Sequence, residues 1–103
     1  MAKFVLAYRG GSVPESEAEQ KAVMDRWMGW FGSLGASVVD GGNPFGAAQT
    51  IASDGAVSSG GGAALTGYSI IDASGLDDAT SKAKGCPVLA AGGTVDVYEA
   101  MEM

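Results

Sequence analysis

The residues best equipped for chemistry in this chain are one acid beside a turn, one amide, and a set of aromatics. Asp40 closes a short apolar run and precedes Gly41-Gly42-Asn43-Pro44-Phe45-Gly46. A carboxylate there could serve as a general base or orient a ligand if burial raised its pKa. Its structural alternative is to accept turn N–H groups. Asp40 is the single candidate for catalysis. The Asn43 amide can both donate to and accept from a ligand, Pro44 stiffens the turn, and Phe45 could wall a pocket or plug a sheet edge. Tyr8 and Tyr68 bring phenolic hydroxyls. Trp27, Trp30 and Phe31 form an aromatic cluster suited to an apolar ligand, although a stripe at helical spacing is more often core. Trp30 is the candidate ligand contact among them, because Trp27, Phe31 and Leu34 already complete an inward face.

Other chemistry is excluded by what the 103 residues lack. There is no histidine. That removes the usual base near neutral pH, Ser-His and Cys-His nucleophile pairs and most transition-metal sites. Cys86 is the lone cysteine, so no internal disulfide can form and a reducing compartment fits. It follows a helix end, where the dipole disfavours a thiolate, and reads as a small buried hydrophobe. The glycines at 60–62 and 92–93 have no Lys-Ser/Thr follow-on and no strand-to-helix context, so they are turns, not phosphate cradles. No metal and no cofactor is expected.

Charge narrows the partners. The net charge is −6 and the pI about 4.2. The six basic residues are scattered, with none from Ala36 to Ser81. Nucleic-acid binding, which depends on cations neutralising phosphates, is disfavoured, as is an acidic membrane surface. No stretch approaches about 18 uninterrupted apolar residues, so no membrane-spanning helix is expected. The opening MAKFVLAYRGG is too soon interrupted for a secretory signal. A cytoplasmic protein is expected. The length suits a single domain over residues 1–103.

The elements that must hold these residues follow from patterning. Ala2–Arg9 reads as a strand with Phe4, Leu6 and Tyr8 on one face and Val5, Ala7 and Arg9 on the other. Two overlapping capping boxes, Ser12–Glu15 and Ser16–Glu19, announce a helix. Its inward face is Val23, Trp27, Trp30, Phe31 and Leu34. Gly29 and Gly32 oppose that helix by about 1 kcal/mol each relative to Ala, which suggests close packing against a sheet or a partner. Gly35 ends it. Ser37–Asp40 and Ala47–Ser53 read as short strands, Asp54–Gly62 as a turn between two hairpin arms, and Leu65–Ala73 as the clearest strand. A second helix starts at Ser74-Gly75-Leu76-Asp77. Asp77 and Asp78 stand in its first turn and Lys82 and Lys84 in its last, matching the dipole. Gly85 and Pro87 stop it, and Thr94–Met101 is the last strand.

This order is the βαββαβ pattern of a ferredoxin-like α+β fold with an antiparallel sheet. Two helices cover one sheet face. The other face carries apolar side chains and needs a cover, most simply a second copy. A homodimer of the dimeric α/β-barrel type is expected. Tyr8 and Tyr68 would project from the open face. A ligand pocket would lie between the first helix, the GGNPFG turn and that open face. The alternative is a non-catalytic regulatory or protein-interaction module.

Several segments in order also resemble the YCII-related, or DGPF-domain, family: LGASVVDGGNPFG, then TGYSIIDASGLDDATSKAKGCPVLAAGGTVDVYEAMEM. With the first strand and helix the likeness spans nearly the whole chain. It implies a ferredoxin-like fold, a dimer, bacterial origin and, for most members, no assigned role. Some relatives pair a helix His with an Asp, and a few resemble dehalogenating enzymes of aromatic breakdown. Here Met24 and Trp27 stand on the matching stretch of helix, so the His-Asp chemistry does not carry over.

Overall fold

The computed structural model describes residues 2–11, 15–59 and 65–102. They form β1 (Ala2–Arg9), α1 (Glu17–Leu34), β2 (Val38–Asp40), β3 (Gln49–Ile51), β4 (Val57–Ser59), β5 (Leu65–Ala73), α2 (Leu76–Ala83), α3 (Pro87–Ala90) and β6 (Thr94–Ala100). Four strands make an antiparallel sheet in the order β2-β5-β1-β6. With α1 linking β1 to β2 and α2 linking β5 to β6, this is the ferredoxin-like arrangement expected from the pattern.

Strand alternation decides the two faces. Phe4, Leu6 and Tyr8 on β1 sit opposite Ile71, Ser69 and Gly67 on β5. All six are buried, and the helices cover this face. Phe4, Leu6 and Ile71 are completely shielded and join Trp30, Ala79, Ala83 and Val88 from the helices in one core. The opposite face presents Val5 and Ala7 beside Ile70 and Tyr68, and Tyr98 across from Val5. The Arg9 guanidinium pairs with Asp96 at 2.7 Å at one end of this face.

Local signals fix the helix ends. The Ser16 hydroxyl accepts the Glu19 N–H at 3.1 Å, and the Glu19 carboxylate accepts the Glu15 N–H at 3.0 Å. One of the two anticipated capping boxes therefore starts α1, one turn later than the other would. Ser12 lies outside the described residues. Gly35 ends α1 at φ 56°, a left-handed value that favours glycine. At α2, the Asp78 carboxylate accepts the Ser74 N–H at 2.9 Å and pairs with Lys82 at 3.2 Å. The Ser74 N–H, reinforced by Lys82, holds the Asp78 carboxyl below its ordinary range.

Three expectations need correction. The segment 49–51 does not form a hairpin with Leu65–Ala73. It pairs with Val57–Ser59 around a tight turn, in which Asp54 accepts the Ala56 N–H at 2.9 Å. The end of the anticipated loop, 60–62, lies outside the described residues. Pro87 does more than stop α2: it opens α3, where its missing N–H costs nothing. Gly29 and Gly32 do not permit close packing within this chain, because a Cβ at either would meet open space.

Candidate functional site

A cleft of about 430 Å³ opens between α1, the ends of β1 and β5, and α3. Its size falls within the roughly 300–1,000 Å³ typical of small-molecule sites. It lies on the helix-covered side of the sheet, not on the open face as expected, because α1 meets the sheet through large aromatics that leave a gap beside them. Trp27 stands edge-on to Tyr8 at 5.2 Å between ring centroids and tilts against Phe31 at 5.8 Å. Met24 and Met28 form an exposed rim, a flexible thioether edge that adapts to varied shapes.

The opposite wall is the turn after β2. Pro44 forms an isolated bridge to Gly67, and the Phe45 N–H donates to the Thr66 carbonyl at 2.9 Å. The chain from Gly42 to Phe45 is thereby laid along β5. This close approach requires glycine at 42. Its φ is +77°, and a Cβ there would overlap the Tyr68 carbonyl.

A buried hydrogen-bond chain ties floor to wall. The Tyr8 hydroxyl donates to the Ser69 hydroxyl at 2.7 Å, and Ser69 donates to the Gly41 carbonyl at 2.7 Å. Burial pushes the Tyr8 phenol well above its ordinary value, and the Ser69 bond offsets only part of that. Tyr8 is therefore a neutral hydroxyl near pH 7, a donor and acceptor but not a phenolate base. Burial also pushes the nearby Cys86 thiol up, against smaller opposing contributions from the Val88 N–H and Tyr8. Cys86 is buried and free.

The six candidate residues separate into three places. Tyr8 and Asn43 line the cleft. Tyr8 reaches it from the helix-covered face, so its expected place on the open face is corrected. Tyr8 shares its strand face with Phe4 and Leu6, and that face is the buried one. Tyr68 borders the cleft, but its ring stacks on Phe45 at 5.6 Å, on the face opposite Tyr8. Its hydroxyl donates to Asp40 at 3.3 Å. Asp40 is exposed and accepts the Gly42 N–H at 2.8 Å, so it braces the turn. Trp30 belongs to the core. It is 7% exposed, and its indole N–H donates to the Lys82 carbonyl at 3.1 Å, locking α1 to α2. Trp27 takes the place in the cleft expected of Trp30.

Ser69, Thr66 and Arg26 were not anticipated. A signal for Ser69 was present: it is a hydroxyl on the buried side of an otherwise apolar strand, where it needs a partner. Among the described residues no cluster of His, Cys, Asp or Glu could hold a metal ion, and no helix is long and apolar enough to cross a membrane. The cleft offers aromatic surface, neutral hydrogen-bonding groups and one cation, Arg26, an arrangement suited to holding a flat, largely apolar molecule.

No protein-family profile and no curated protein matches the chain. Among solved structures it is similar to 5-chloro-2-hydroxyhydroquinone dehydrochlorinase (TftG) from Burkholderia phenoliruptrix AC1100, in complex with 2,5-dihydroxybenzoquinone. The TM-score is 0.56 at 20% identity, covering 97% of this chain and 95% of that one. At this identity the likeness shows the architecture: the chain has the ferredoxin-like α+β fold.

Proposed function

We propose that residues 1–103 work as a single small-molecule-binding domain of the YCII-related, DGPF-domain type, active as a homodimer in the cytoplasm. The ligand is a planar ring held in the cleft between Trp27, Phe31 and Tyr8. The observation that carries this proposal is the cleft itself: about 430 Å³ of aromatic-walled space, with Gly42 fitted against β5 and the Tyr8–Ser69–Gly41 chain holding floor to wall. The quinone bound by TftG, a protein of the same fold, supports a flat ring as the occupant. Enzymatic turnover would need a proton acceptor, and Asp40, at the start of the turn that walls the cleft, is the candidate. Its present bonds to Gly42 and Tyr68 favour a positioning role.

The second copy covers the open sheet face. Val5 and Ile70 are half-buried there, while Tyr98 and Phe45 remain exposed. An apolar sheet face in water needs a partner. The test is native mass spectrometry of gently purified protein, followed by addition of 2,5-dihydroxybenzoquinone. A dimer that retains or takes up one ring compound per chain supports the proposal. A monomer would overturn the dimer, and failure of every ring compound to bind would overturn the pocket.

A protein-interaction module is the second reading, and the β3–β4 hairpin favours it. All six of its strand residues are exposed, with Ile51 71% and Val57 58% exposed and directly paired. A lone two-stranded hairpin is marginal in water, so this arm suits a protein surface. Co-purification of a stoichiometric partner that is lost on Ile51→Lys would support it.

A further inference from the structure

We infer that the cleft selects anionic rings, with an aromatic carboxylate as the simplest ligand class, and that Arg26 at its mouth is the specificity-determining residue. This rests on the small-molecule reading of the same cleft. The chain carries twelve acids against six bases. Yet no Asp or Glu lines the cleft among the described residues, and its charged lining residue is a cation, Arg26. Such local inversion of sign in an acidic protein favours an anion at that spot, where the overall field would repel it.

Arg26 is placed for the task by the helix. It follows Val23 by one turn and precedes Trp27, and both border the cleft. Neither ion pair found among the described residues, Arg9–Asp96 and Lys82–Asp78, involves it. Asp40, the acid on the facing turn, is occupied by the Gly42 N–H and the Tyr68 hydroxyl. A guanidinium can grip a carboxylate with two parallel hydrogen bonds. With the ring against Trp27, a carboxylate directed outward would meet Arg26 at the rim. Tyr8, kept neutral beneath the ring, adds no opposing charge.

Arg26 also borders a shallow second depression together with Lys84, between α1 and α3, which no described Asp or Glu lines. The cationic edge thus continues past the cleft mouth. It supplies local attraction for an approaching anion within about one Debye length, roughly 8–10 Å at ordinary salt.

The test is calorimetric titration of the intact protein with benzoate and 2-naphthoate against benzamide and 2-naphthamide, at low and high salt. Each acid should bind about tenfold or more tightly than its amide, a difference that shrinks in salt. Arg26→Gln should abolish the preference by weakening acid binding about tenfold more than amide binding, and Arg26→Lys should restore part of it. Equal binding of acid and amide, or a preference that survives Arg26→Gln, would overturn the inference while leaving the small-molecule reading intact. Failure of all four ring compounds to bind would overturn both.

Discussion

Tyr8 and Ser69 share a buried hydrogen bond of 2.7 Å that joins the two central strands beneath the cleft. Ser69 passes the connection to the Gly41 carbonyl, so the floor of the cleft and its turn wall form one hydrogen-bonded unit. Removing the Tyr8 hydroxyl should therefore disturb more than a single contact. Tyr8→Phe should cost about 1–2 kcal/mol in urea unfolding and weaken ring binding. Unchanged stability and affinity would show that the chain of bonds does not organise the site.

The same hydroxyl gives the protein a pH signature. Burial raises the Tyr8 pKa in the folded state, so above the ordinary phenol value near 10 the unfolded chain releases a proton that the folded chain keeps. Stability from this group is fully present below that pH and falls as pH rises beyond it. Ultraviolet absorbance should show one tyrosine ionising late, together with alkaline unfolding. Tyr8→Phe should remove that step.

Glycines on the two sides of the site should respond in opposite directions. Gly29→Ala and Gly32→Ala place a methyl in open space on an exposed helix face, and each should stabilise by about 1 kcal/mol. If a second copy packs on this face, the gain will vanish. Gly42→Ala combines a positive φ with overlap on the Tyr68 carbonyl and should destabilise by on the order of 2–4 kcal/mol. Thermal and urea unfolding of the three variants would check both signs.

Cys86 should be slow to react. Its thiol is buried and its pKa raised by desolvation, which leaves little thiolate. A disulfide reagent such as Ellman's should label it slowly in the native protein and fully in denaturant. Fast native labelling would mean that the contact between Tyr8 and Cys86 opens readily.

Much of this architecture was legible from residue order. β1, α1, β5, α2 and β6 each carry a strong period or a paired start and stop signal, and the ferredoxin-like order follows from them. The hairpin was not legible. β3 and β4 have three residues each, with no buried face to impose an alternation, so the pairing partner of Gln49–Ile51 is set by the Asp54 turn. The site was legible in part. The Asp40-Gly-Gly spacing announced a turn, which is what Asp40 braces. Residue order puts Trp27 on the inward face with Phe31 and Leu34 and leaves Trp30 as the ligand contact, the reverse of what the fold does. Trp30 binds the Lys82 carbonyl across the chain and Trp27 faces the cleft, and both depend on contacts with α2 and β1 that are distant in sequence. Arg26 escaped notice because a single cation on a helix reads as a solvated charge until its neighbours are known to line a cleft.

The two tryptophans provide the most direct measurement of whether a ring enters beside α1. In a nitrogen-15 spectrum of the intact protein titrated with 2-naphthoate, the Trp27 indole signal, assigned by its loss in Trp27→Phe, should shift strongly and saturably. The Trp30 indole, held on the Lys82 carbonyl in the core, should stay nearly fixed. Movement of Trp30 without Trp27, or no movement of either as the ligand saturates, would contradict a ring-binding cleft between α1 and the sheet.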